Sequence, residues 1–319
     1  MSLADILRKK PVIYEVVPPR ISQQNRAEES KLKGLEGVLA DKRISAVNIP
    51  ELIAREENEG NINYRSLNVA PEEYAKSLSH TGKEIIVNII SPRMQKDDFM
   101  HRVDTAFAGY GIKNLIVVGK ERGTDKMPGY NVLEAMSSIS SAYNGNGPLL
   151  GGICIFDRAT SANRDYTTSK GRMREYERIA QKARNGCRFV TSQIVYDAGP
   201  VKNFLSEYND YCEKTGDEPI TVFISMAPIS SENMLCLMRD RLDVHIPVKT
   251  QKRLLASEDI GAESIDTSKM ILRDIMDYHK QEGIRVPLGL QIEQIGINNA
   301  YLAKQLLDST YGIFKGRSK

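Results

Sequence analysis

The sequence predicts a (β/α)8 barrel, and three observations carry that prediction. Eight short apolar runs rich in Val and Ile alternate with charged segments of helical spacing along 319 residues. Strands buried on both faces alternate in this way with the helices that cover them. Glycines 82, 111, 186, 216 and 283 each follow a helical segment and precede an apolar run, where a helix C-terminus favours a residue that can turn left-handed. No GxGxxG and no phosphate-loop motif follows the first run, which weakens the competing doubly wound open sheet. The length suits a single barrel domain spanning 1–319.

In order, the first strand is expected at 12–17, halted by the Pro18-Pro19 pair, and a helix at 27–39 follows. Strand 46–49 leads to helix 71–79, strand 84–90 to helix 97–108, and strand 114–118 to helix 132–143. Strand 149–155 leads to helix 172–185, strand 189–195 to helix 200–215, and strand 220–226 to helix 231–241. The long polar stretch 245–261 reads as an extra helix or a mobile loop. Helix 268–281, strand 286–292 and helix 298–308 close the chain. No internal repeat or low-complexity segment interrupts this order.

Composition narrows the function classes. Hydrophobic residues make up 41% and charged residues 27%, with a net charge of +3, which is ordinary for a globular protein and argues against a nucleic-acid-coating surface. The apolar runs are strand-sized, so no membrane span is expected. Residues 1–10 are short and charged, without a secretory core, and a cytoplasmic location is the default. Cys154, Cys187, Cys212 and Cys236 are widely spaced, and His80, His101, His245 and His279 form no zinc pattern. Neither a disulfide scaffold nor a metal site is proposed by such spacing.

The most informative residue is Glu15, within Val12-Ile13-Tyr14-Glu15-Val16-Val17-Pro18-Pro19-Arg20. An ionised carboxylate in an apolar run is costly unless it is paired or its pKa rises. A pKa raised toward neutrality suits a general acid; a structural carboxylate paired with an Arg or Lys is the competing reading. In a barrel, catalytic groups stand at the C-terminal strand ends. Those ends supply Glu15, Asn48 with Glu51, Asn88 with Ser91 and Arg93, and Lys120 with Glu121. They continue with Asp157 and Arg158, Gln193 with Tyr196 and Asp197, Ser225, and Gln291 with Glu293. Polar residues recurring at one end of apolar strands read as a site lining.

Several of these residues carry a resemblance. Tyr14-Glu15-Val16-Val17-Pro18-Pro19-Arg20 resembles the FEFFPP(K/R) opening of the methylenetetrahydrofolate reductases. The stretch from Asn185 to Asp197 is similar to that family's AGAdfiiTQxfFD segment, and Val222 to Ser230 to its iPGIlPv segment. The turn at Asn114 to Glu121 stands where the family has alRGD. The resemblance implies a (β/α)8 barrel that reduces the methylene bridge of a folate to a methyl group. Hydride comes from NAD(P)H, in most members through FMN, and Glu15 would be the acid that protonates the leaving nitrogen. It further implies that Gln193 contacts the pterin, an edge that an amide suits with its donor and acceptor; a strand-end amide capping the next helix is the alternative. Glu121 falls at the flavin-pyrimidine aspartate, with a solvated loop carboxylate as the alternative.

Gln291 is assigned to the substrate with Gln193, and Asn48, Asn88, Glu121, Arg158, Arg178 and Lys182 to the cofactor. The family's third-strand HLTC-type ending reads Asn88-Ile89-Ile90-Ser91 here, and the RGD arginine is replaced by Gly119 or Lys120. The fifth-strand segment reads Cys154-Ile155-Phe156-Asp157-Arg158, and the YTLNR ending reads Gln291-Ile292-Glu293-Gln294-Ile295-Gly296. These departures fall mostly where FMN or the folate tail would bind. They leave open a phosphate site rebuilt from Arg158, Arg172, Arg174, Arg178 and Lys182, direct hydride transfer, another pterin, a pterin-dependent methyltransferase, or a non-catalytic pterin-binding subunit. The expected partner is a small folate or pterin, with no nucleic acid and no membrane. Family members commonly assemble, so a homo-oligomer or a partner subunit stays open.

Overall fold

The protein was analysed as a computed structural model, which describes residues 2–21, 35–58, 61–66, 68–119, 127–156, 174–296 and 299–316. Eight parallel strands close into a barrel: β1 (Val12–Glu15), β2 (Ala46–Ile49), β3 (Glu84–Ile90), β4 (Asn114–Val118), β5 (Leu149–Cys154), β6 (Cys187–Ile194), β7 (Thr221–Met226) and β8 (Leu288–Glu293). The strands follow chain order around the barrel, and β8 pairs back onto β1. This is the predicted (β/α)8 fold, and each expected strand is found within a few residues of its expected bounds.

The helices lie between the strands as the charged segments predicted. Pro71–Leu78, Lys96–Asp104, Val132–Tyr143, Glu175–Arg184, Ala198–Thr215, Glu232–Cys236, Ile260–Gln281 and Ala300–Lys315 cover the barrel. Residues 35–39 are helical, and the rest of the expected first helix lies outside the described residues. The five glycines read as helix stops all have positive φ, between 62° and 97°, where a Cβ is disfavoured. The helix expected from 268 begins at Ile260, because Asp259 caps it by accepting from the Ala262 N–H at 2.9 Å. The stretch 245–261 is ordered in part as the helix Val248–Leu255. An antiparallel hairpin, Ile53–Asn58 with Asn61–Ser66, was not anticipated. Among the described residues, no helix is long and apolar enough to cross a membrane.

The interior follows the two-residue strand period. Ile13, Ala46, Ile86, Ile116, Phe189 and Phe223 form its lower layer. The short helix Leu3–Ile6 closes the barrel floor, with Leu3 and Leu7 packed on that layer. The Thr221 hydroxyl donates to the Leu7 carbonyl at 3.1 Å. The Phe189 and Phe223 rings meet edge to face, 5.7 Å between centroids. Gly151 and Gly289 make room for them: a Cβ on Gly289 would lie 2.3 Å from the Phe223 ring, and one on Gly151 2.4 Å from Phe189. This layer is the rigid base beneath the polar upper layer.

Gly289→Ala should therefore lower stability by about 1–3 kcal/mol through overpacking. Urea unfolding followed by circular dichroism measures it, and an unchanged midpoint would show that the Phe223 ring can move aside.

Candidate active site

Two residues above Ile13 on the inward face of β1 stands Glu15. Its register partners are Glu293 on β8 and Asn48 on β2, so two carboxylates occupy adjacent strands about 4.8 Å apart. The same inward alternation places Gln291 on β8, Ser225 on β7 and Asn88 on β3 in the upper interior. These polar side chains are enclosed: Asn48 is 1% exposed, Gln291 2%, Asn88 7% and Glu293 7%.

Hydrogen bonds tie the carboxylates together. The Gln291 amide nitrogen donates to Glu15 Oε2 at 3.1 Å and to Glu293 Oε1 at 2.8 Å. Asn48 Nδ2 donates to Glu15 Oε2 at 2.8 Å. With both amide nitrogens spent on carboxylates, the carbonyl oxygens of Asn48 and Gln291 are buried without a partner among the described residues, as is that of Asn88. Buried acceptors left open in this way call for a further donor.

Electrostatics follow from enclosure. Burial holds the Glu15 carboxyl well above the usual glutamate range, the Glu293 charge adds to the rise, and the Asn48 hydrogen bond opposes it. Burial likewise pushes Glu293 up to about 7, against the Gln291 amide and the Ser225 hydroxyl. The half-buried Glu15 carboxyl thus holds its proton to higher pH than an ordinary glutamate, the direction a general acid requires.

The strand ends around this pair are pinned. After β1, the Pro18 carbonyl accepts from Asn68 Nδ2 at 2.6 Å and the Pro19 carbonyl from the Val69 N–H at 2.9 Å. After β8, Ile295 has φ 59°, and the Gly296 N–H donates to the Gln294 carbonyl at 2.6 Å. A β-branched residue at positive φ in a γ-turn is a strained conformation of the kind that gathers at functional sites. The Tyr14 hydroxyl donates to Gln294 Oε1 at 3.4 Å, linking the two strand ends from behind.

The other sequence candidates fall into separate places. Gln193 is not free for a ligand: its Oε1 accepts from the Ile194 N–H at 2.8 Å and its Nε2 donates to the Leu242 carbonyl at 2.9 Å. It borders a small pocket of about 30 Å³ with Phe156, Tyr196, Asp197 and His245. Lys182 reaches up behind β5, its stem beside Gly152, and donates to the Ile153 carbonyl. Arg178 faces Glu175 at 4.0 Å. Glu121 and Arg158 lie outside the described residues, as do Lys120, Asp157 and Arg172.

A second polar cluster was missed. At the ends of β2 and β3, Glu51 accepts from the Ile90 N–H at 2.7 Å and from Arg102 Nη1 at 2.8 Å. Arg102 also forks onto Glu72 at 2.6 and 2.9 Å, and Arg93 lies 3.4 Å from Glu51. These groups line a cleft of about 310 Å³ with Leu52, Val69 and Met94. The sequence held a signal for it: Glu51 and Arg93 both follow strand ends, but their partners Glu72 and Arg102 sit on helices.

No protein-family model and no curated protein sequence matches the chain. Among solved structures, it superposes on an uncharacterized protein from Clostridium thermocellum that binds two copies of 5-methyl-5,6,7,8-tetrahydrofolic acid. The TM-score is 0.72 at 20% identity, over 98% of this chain and 99% of that one. The spore cortex-lytic enzyme SleL of Bacillus cereus aligns more loosely, with TM-score 0.49 and 13% identity over 94% of this chain and 74% of that one. The first of these likenesses establishes the fold.

Two outcomes follow from the buried charges. Arg102→Met leaves Glu51 and Glu72 without their guanidinium and should cost about 3–5 kcal/mol of stability; chemical denaturation measures it, and a loss below ~1 kcal/mol would mean the network is solvated. The raised Glu15 makes the folded chain bind more protons than the unfolded one above about pH 4.3, so stability falls as pH rises through that window. Glu15→Gln removes this penalty. Its melting temperature should gain on the wild type steadily from acid to neutral pH, whereas a constant offset would contradict the raised carboxyl.

Proposed function

We propose that the chain is a single-domain barrel that binds a reduced folate or related pterin and reduces a methylene-pterin to its methyl form, with Glu15 as general acid. The observation that carries the reading is Glu15, its carboxyl raised well above the usual glutamate range by burial and set among buried amide carbonyls that lack donors among the described residues. A reduced pterin presents amino and ring N–H donors to such a lining and a nitrogen that accepts a proton. The Clostridium thermocellum protein, which binds 5-methyl-5,6,7,8-tetrahydrofolic acid on the same fold, supports the choice of ligand class.

The chemistry balances with one acid and one hydride. The Glu15 carboxyl gives its proton to the ring nitrogen that leaves the methylene carbon. That C–N bond breaks, the five-membered ring opens, and the remaining nitrogen and the methylene carbon form an iminium. Hydride from NAD(P)H adds to this carbon, giving the methyl group and the oxidised nucleotide. The Glu15 carboxylate, still hydrogen-bonded by Asn48 and Gln291, takes a proton from water to restore the acid.

FMN fits poorly among the described residues. Lys182 is behind β5 on a main-chain carbonyl, Arg178 sits against Glu175, and the Asn48 amide nitrogen belongs to Glu15. No step is therefore routed through a flavin, and the hydride donor is written as the nucleotide. In this arrangement Asn48 and Asn88, expected to hold the cofactor, line the substrate site together with Gln291.

The test is oxidation of NADPH or NADH by the purified chain with 5,10-methylenetetrahydrofolate, with and without added FMN, alongside calorimetric binding of 5-methyltetrahydrofolate. Turnover is expected, and Glu15→Gln should lose about 10²–10⁴-fold in kcat while still binding the methyl-folate. Binding without nucleotide oxidation would overturn the reductase reading in favour of a methyl-transfer or binding role. Turnover that survives Glu15→Gln would remove the acid from its assigned role.

A further inference from the structure

Glu293 has no part in the resemblance to the reductases, whose eighth strand ends differently, and no part in the transfer just described. Its placement is nonetheless as constrained as that of Glu15. The two residues are register partners on adjacent parallel strands, and one amide, Gln291 Nε2, donates to both carboxyl groups at 3.1 and 2.8 Å. The γ-turn at Ile295 and the Tyr14–Gln294 hydrogen bond hold the strand end that carries Glu293.

Among the described residues, no cation offsets the pair. Facing Glu15 are Asn48 from β2 and Gln291 from β8, both neutral, and beside Glu293 is the Ser225 hydroxyl from β7. The arginines at the rim, Arg93 and Arg102, are engaged by Glu51 and Glu72. Among the described residues, Glu293 is thus the one charged group acting on Glu15. Two carboxyl groups this close in an enclosed site cannot both ionise, and one proton stays with them. The hydrogen bonds are unequal. Gln291 Nε2 lies nearer Glu293 than Glu15, at 2.8 against 3.1 Å, while Glu15 also accepts from Asn48 at 2.8 Å, so both groups of the pair are held in place by amide donors.

We infer that Glu293 is a positioning residue whose carboxylate keeps the proton on Glu15, so that the pair carries one proton at neutral pH. The inference rests on the reading of Glu15 as the acid and extends it to how the acid is loaded. When Glu15 gives its proton to the substrate nitrogen, both carboxylates are charged. Their repulsion then draws one proton from water back onto Glu15 before the next turnover. Glu293 itself transfers nothing to substrate.

The experiment is a pH titration of the unliganded chain, with glutamate side-chain carboxyl carbons labelled for ¹³C NMR, and the Glu15 signal assigned by its loss in Glu15→Gln. In the wild type, Glu15 should titrate well above the ordinary glutamate range. In Glu293→Gln its midpoint should fall by about one unit or more, and in Glu293→Asp, which keeps the charge on a shorter arm, it should lie between the two. A parallel downward shift is expected in the pH at which methylene-pterin reduction declines, a shift that a purely structural role would not produce. A Glu15 midpoint unmoved in folded Glu293→Gln overturns the inference, and so does a wild-type Glu15 that titrates in the ordinary glutamate range, which needs no variant. Because the titration uses no ligand, the expected midpoints with no turnover would sink the proposed reaction and leave the carboxyl pair standing.

Discussion

Closure of the barrel brings the last strand against the first, and that contact sets two glutamates side by side in an enclosed, uncharged lining. Two amides of the upper interior answer to this placement. Gln291 spends its amide nitrogen on both carboxyl groups, Asn48 donates its own to Glu15, and their carbonyl oxygens are buried without a partner among the described residues. Moving either carboxyl to water would remove the reason for these orientations. The enclosure costs stability, and the same cost raises both carboxyl groups above the usual glutamate range.

The rest of the fold keeps this layer rigid. Below it, Phe189 and Phe223 fill space that Gly151 and Gly289 leave, and the helix Leu3–Ile6 seals the floor. Above it, the proline pair after β1 and the γ-turn after β8 stop each strand directly beyond its glutamate. Precision at the acid thus comes from packing beneath it and backbone constraint beyond it, not from a network of ion pairs. One buried set of ion pairs lies around Arg102 at the neighbouring rim, where it ties the segments after β2 and β3 together.

Much of this was legible in the sequence for a simple reason: a doubly covered strand must be apolar over its whole length, and eight such runs are hard to mistake. Glu15 was legible because it violates that rule. Glu293 broke the same rule at the end of the eighth run, but its importance depends on which strand lies next to β1, and no local pattern contains barrel closure. Gln193 was read from motif likeness, and a sequence cannot show that its amide is engaged by the Ile194 N–H and the Leu242 carbonyl. The hairpin of Ile53–Asn58 with Asn61–Ser66 lies in a stretch whose charged residues hid its pairing, and the N-terminal helix read only as a short charged segment. Lys182 illustrates the same limit from the other side: its charge was visible, but not the β5 wall between it and the barrel interior.

The central claim is that Glu15 is a neutral carboxylic acid at physiological pH. Infrared difference spectroscopy of the wild type against Glu15→Gln, at neutral pH in heavy and light water, tests it most directly. The account predicts that the variant loses one protonated-carboxyl C=O band that shifts on deuteration. A difference spectrum showing instead the loss of an ionised carboxylate band would contradict it.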